Sequence, residues 1–258
     1  MLWTSVKNKM FKNYSKAPIK EAILDVHIKE IDGIDLIKIK ESLSGKLPKG
    51  FKIESNIVNF GGKIKIDKGK SEFISSEEIL KGFIISKDNF KIQFRKDGFT
   101  VNFLSPYTRW EEFFKLALEF WRIYQENFTD IYCEKIGLRY INEIKIPLPL
   151  GNFEDYIVNM PPIPKCLPQN YSHFFMQIEV PCENDFIAQI TETIIESQEK
   201  YILPFVLDIN IQKRVNGKIK EKDFEDEFNY MRRLKNLIFE DFITDNTRKL
   251  INCNENRN

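Results

Sequence analysis

Residues 135–147, KIGLRYINEIKIP, decide how this chain is read. Successive side chains of an extended segment point to opposite faces, so Ile136, Leu138, Tyr140, Ile144 and Ile146 share one side. Arg139, Glu143 and Lys145 share the other, with Gly137 beside them. One apolar and one polar face is the pattern of an antiparallel sheet packed against a core on a single side.

The alternation recurs on either side of this stretch. Residues 22–28 place Ala22, Leu24, Val26 and Ile28 on one face and Asp25 and His27 on the other. Residues 51–60, 83–86, 90–95 and 99–104 read as further strands, the last two joined by the hairpin signal Lys96-Asp97-Gly98. Downstream, 173–180, 186–195 and 203–212 read the same way. Residues 61–77 are polar and contain glycine, which predicts a long hairpin or loop. Six prolines in residues 147–170 make that segment a connection, with a short helix expected at 153–158.

Helical spacing appears three times. Leu36, Ile39 and Leu43 mark a short helix. Thr108-Arg109-Trp110-Glu111 reads as a capping box opening a helix to Asn127, whose apolar face is Trp110, Phe113, Phe114, Ala117, Trp121 and Tyr124. Asp223 is expected to cap a second long helix with the seam Phe224, Phe228, Met231, Leu234 and Ile238. The element order is β-α-β-β-β-β-α followed by β-(α)-β-β-β-α. This near repeat predicts an α+β fold: an antiparallel sheet or partly closed barrel built from two similar halves, long helices on one face, as in TATA-binding or helix-grip arrangements. The expected organisation is an arm at 1–16, one unit at 17–251 with halves 17–127 and 128–251, and a tail at 252–258.

Composition narrows the function. The chain has 258 residues, with 39 Lys+Arg against 38 Asp+Glu, so it lacks the basic excess of a polyanion binder. Phe is unusually frequent, at 22 copies, which predicts an aromatic core. The four cysteines, Cys133, Cys166, Cys182 and Cys253, form no CxxC pair, so neither a zinc knuckle nor a disulfide framework is indicated. No run approaches the roughly 18 apolar residues of a membrane span, and no signal segment is evident. A cytoplasmic protein without membrane attachment is expected.

Several pieces taken together resemble one family. APIKEAILDV at 17–26, QFRKDGFTVNFLSPYTRWEEF at 93–113, KIGLRYINEIKIP at 135–147, LDINI at 207–211 and LKNLIFEDFITDNTRKLI at 234–251 are similar to the sporadically distributed prokaryotic TIGR04255 family. The resemblance runs over residues 17–251. It implies no catalytic residue, because no activity attaches to the family. A patchy distribution implies a place in mobile or defence-type gene clusters.

Catalytic motifs are incomplete. Gly69-Lys70-Ser71 has the tail of a phosphate-binding loop, but Ile64 stands where its first glycine belongs. His27 and His173 are the only histidines; Cys166 or Cys182 could pair with His173, but a structural histidine is the simpler reading. Asp130 with Glu143 and Lys145 has the spacing of a metal nuclease, against a reading as cross-strand ion pairs. The polar sheet face is more informative. It collects Arg95, Arg139 and Lys145 with Asp25, Glu143, Glu179 and Asp208, and Asn102 among its amides. Either it is solvated, or its arginines bind an anion by bidentate hydrogen bonds. Arg109 is added because a cation in a first helical turn opposes the helix dipole.

The expected function is a non-catalytic module that binds a small anionic ligand or a partner protein through Arg139, Arg95, Glu143, Asn102 and Arg109. A metal-dependent nuclease or phosphodiesterase and a nucleic-acid binder are the alternatives, the last disfavoured by charge. No cofactor and no metal ligand set is implied.

Overall fold

Alternation at residues 22–28 produces the strand on which the rest is assembled. The structure, a computed structural model, describes residues 14–67, 70–158, 160–168 and 171–252, with the side chains of 61–77 set aside. The first strand, β1 (Ile19–Ile28), buries Ala22, Leu24, Val26 and Ile28, as the pattern requires. After it come α1 (Leu36–Leu43), β2 (Lys52–Asp67), β3 (Lys70–Lys87), β4 (Phe90–Arg95), β5 (Gly98–Leu104) and α2 (Trp110–Asn127). The chain continues through β6 (Cys133–Pro147), β7 (Phe175–Pro181), β8 (Phe186–Ile194), β9 (Ile202–Gly217), α3 (Glu221–Phe242) and α4 (Asp245–Ile251).

The nine strands form one sheet in the order β2-β3-β4-β5-β1-β6-β9-β8-β7, and every neighbouring pair is antiparallel. Because β2 and β7 end the order unpaired with each other, the sheet is open, and the expectation of barrel closure is corrected. At its centre β1 pairs with β6, Leu24 facing Leu138. Residues 61–67 and 70–77 extend β2 and β3 as a hairpin.

The long helices cover one face of the sheet. From α2, Phe113, Phe120 and Trp121 meet Phe103, Phe94 and Phe99 of the sheet, while α3 joins α2 where Phe224 stacks on Trp121, ring centroids 5.4 Å apart. Phe224, Phe228, Met231 and Leu234 are buried as the seam predicts; Ile238 is only partly covered, and Phe239 is buried.

Helix starts differ from the sequence reading. The α2 N-cap is Arg109 with no side-chain cap, and the Thr108 hydroxyl donates to Glu112 instead of completing a box with Glu111. Starting at Trp110 frees Glu111 to reach Arg232 of α3 at 3.2 Å. Likewise α3 starts at Glu221, ahead of Asp223, and Glu221 takes two hydrogen bonds from Arg122 of α2 at 2.9 and 2.5 Å. The helix expected at 153–158 is a single 3₁₀ turn, Phe153–Asp155.

Where it is described, the end of the arm before Pro18 is tied to the C-terminal helices. Tyr14 donates to Glu240 at 2.5 Å, and the Lys16 amide donates to the Ile251 carbonyl at 2.9 Å. Residues 1–13 of the arm, 253–258 of the tail with Cys253, and Gly69 of the loop-like motif lie outside the described residues. Cys133, Cys166 and Cys182 are free thiols.

Candidate functional site

The open face of the sheet carries four of the five expected site residues, and its charges are matched there. Arg139 grips Asp208 in bidentate fashion: its Nε donates at 2.9 and 3.0 Å and its Nη2 at 2.5 Å. That hydrogen-bonded carboxylate holds the Arg139 pKa above its ordinary value. Arg95 donates to Thr100 at 2.5 Å and Asp97 at 3.1 Å, and lies 3.4 Å from Asp25. Burial alone would raise the Asp25 pKa, but His27 at 2.6 Å, Thr100 and Arg95 together hold it below the usual carboxylate value. Asn102 donates to Glu21 at 2.7 Å, and Glu143 pairs with Lys20 at 3.2 Å. At Gly137, beside Arg139, an added Cβ would fit with ordinary contacts only, the nearest at 3.7 Å.

The Arg139–Asp208 pair is unequal. The Asp208 side chain is 12% exposed and that of Arg139 is 44% exposed. Arg139→Ala therefore leaves a nearly buried carboxylate without its partner and is expected to cost roughly 2 kcal/mol, whereas Asp208→Ala leaves an arginine that water can reach and costs about half as much. Urea titrations of both variants check this; equal losses would mean that the burial difference has no energetic effect.

A different site lies on the helix side of the sheet. A cleft of about 1300 Å³ opens between the start of α2 and the middle of α3, with Tyr140 and Asn142 of β6 in its floor. Of the expected site residues, only Arg109 lines it. Lys213 pairs with Glu227 at 2.5 Å, Arg232 pairs with Glu111, and Arg248 holds Glu240 at 3.1 Å. With these carboxylates engaged, Arg109, Arg233 and Lys235 line the cleft against Asp226, none of the three paired with a carboxylate among the described residues.

Lys235 is the side chain that sequence reading missed. It stands one helical turn after Met231 and one before Phe239, both buried, so a lysine occupies a position of the apolar face. That break in the pattern was the available signal. Its Nζ lies 3.7 Å from the centroid of the Tyr140 ring, whose hydroxyl is 3.0 Å from that of Tyr107. Burial, reinforced by the nearby charge of Arg232, pushes the Lys235 pKa down to about 7. Burial also pushes the Tyr107 phenol up to about 12 and raises that of Tyr140, so both stay protonated near neutrality.

The nuclease residues do not converge. Glu143 lies ten residues beyond the start of β6, placing it on the order of 30 Å from the Asp130 end. Lys145 is occupied by Glu199 at 2.5 Å. Among the described residues no three His, Cys, Asp or Glu side chains group as a metal site, and no helix is long and apolar enough to cross a membrane. A scan against protein-family models finds no match to this chain, and a search of curated proteins finds none either.

Proposed function

We propose that this protein is a binding module for a small anionic ligand, and that the ligand enters the cleft between α2 and α3. The observation that carries this reading is the surplus of cleft cations, Arg109, Arg233 and Lys235 standing against Asp226 once the internal ion pairs are set aside. Trp110, stacked under Arg232 at 5.3 Å, and the Tyr107–Tyr140 pair add a firm aromatic wall. On the open face, by contrast, Arg95 and Arg139 already hold carboxylates.

A thermal-shift screen with phosphate, nucleotides and small carboxylates tests the reading. A ligand at about a hundred times its Kd adds roughly 2.7 kcal/mol, a rise on the order of 5 °C for a chain of this size. The double variant Arg109→Glu/Arg233→Glu is expected to melt near the wild type, since both side chains are exposed, and to lose that rise. Arg139→Ala is expected to keep it. Stabilisation by divalent metals or oligonucleotides alone would favour the nuclease or nucleic-acid alternatives.

We propose further that the two halves are versions of one unit, arranged as in a TATA-binding saddle. The sheet order supports this: the first strand of each half, β1 and β6, meet at the centre, the last strands β5 and β9 flank them, and in each half the last strand is followed by a long helix, α2 or α3. Related chains whose halves are more alike in sequence would bear it out. Relatives in which one half has a different strand order would overturn it.

A further inference from the structure

The cleft contains a nucleophile as well as positive charge. The Lys235 ammonium rests on an aromatic ring, has no carboxylate partner among the described residues, and remains partly exposed on the cleft wall. An amine placed against apolar surface beside another cation is the arrangement that activates lysine toward carbonyl groups.

We propose that Lys235 captures a 2-oxo acid as an imine, with the free cations of the cleft holding the acid's carboxylate; this rests on the anion-binding reading above. The amine lone pair adds to the keto carbon. A C–N bond forms, the C=O π pair moves to oxygen, and a proton passes from nitrogen to that oxygen, giving a carbinolamine. The nitrogen lone pair then expels the hydroxyl, which takes up one proton and leaves as water. A protonated imine remains. Tyr107, on the same wall and protonated near neutrality, is an O–H donor for the departing hydroxyl.

The depressed basicity of Lys235 supports the step, because a group titrating at about 7 is half unprotonated at neutral pH. An ordinary lysine is unprotonated less than about one time in a thousand there. The cleft volume leaves room for an acid longer than the smallest member of the class.

Glyoxylate, the smallest 2-oxo acid, serves as the probe at pH 7, with cyanoborohydride to reduce any imine to a stable secondary amine. The modified site is read by peptide mass mapping, and thermal shift is recorded on the same protein. Lys235 is expected to be labelled on the order of tenfold faster than the other lysines, and faster by glyoxylate than by an uncharged aldehyde of similar size. Lys235→Arg keeps the charge but forms no imine, and should lose the label; Lys235→Met should lose the label as well. Stabilisation by glyoxylate with labelling spread evenly over the lysines, or with none, overturns the capture step and leaves the binding module intact. Neither stabilisation nor selective labelling overturns both.

Discussion

Glu192→Met is expected to stabilise the protein at pH 8 by on the order of 3 kcal/mol. Glu192 sits on the covered face of β8, opposite Leu207 of β9 and Met176 of β7, and is 1% exposed. Neither carboxylate oxygen has a hydrogen-bond partner among the described residues. Burial raises its pKa from 4.5 to about 7. The folded protein thus binds a proton more tightly at this site than the unfolded chain does, and the stability this contributes is fully present below about 4.5. It falls as pH rises from about 4.5 to about 7 and is flat above. Methionine fills similar space with no charge to bury. Urea titrations of wild type and variant across this range isolate the effect, because other titrating groups cancel in the difference between the two curves. A difference that does not change with pH would show that the carboxylate is not paying for its burial.

The second large effect is expected at Phe94. Its ring meets Phe83 and Phe99 within the sheet, Phe120 and Tyr124 of α2, and Phe128 just beyond that helix, at centroid distances of 5.3 to 6.3 Å. It is fully buried, and Tyr124 adds a hydrogen bond to the Arg95 carbonyl at 2.8 Å beside it. Phe94→Ala therefore opens a cavity where helix and sheet meet and should cost about 3–5 kcal/mol, with Phe94→Leu losing much less. Equilibrium denaturation measures both. Equal, small losses would mean that this cluster relaxes around the hole and is not the rigid joint between α2 and the sheet.

Much of the fold was legible because burial imposes a period. The alternation at 22–28 and 135–146 named the buried residues of β1 and β6, and the helical spacing of Trp110, Phe113, Phe114, Ala117, Trp121 and Tyr124 named those of α2. Closure was not legible, since alternation states which face is covered and not whether the outer strands meet. Helix starts were misplaced because Glu111 and Glu221 find partners on the facing helix, which no local capping rule can anticipate.

The candidate site was legible only in part, for a related reason. Arg139 and Arg95 stand out in sequence as cations at strand centres, yet Asp208 and Asp25, distant along the chain, lie beside them in the sheet. Lys235 and Glu192 carried the opposite signal. Each is a charged residue in a run of apolar positions, Met231 to Phe239 in one case and Phe186 to Ile194 in the other. Such violations of pattern are where a fold accepts a local cost, and they merited attention before the strand arginines did.

The pairing of β1 with β6 also bears on how the chain is made. During synthesis, β1 to α2 emerge first and can assemble the β2-β3-β4-β5-β1 portion of the sheet with its helix. That portion ends in β1, whose outer backbone edge is then unpaired, a template for joining another unfinished copy. The strand that covers this edge is β6, the very next one to leave the ribosome. Chain order thus keeps the sticky interval as short as this topology permits.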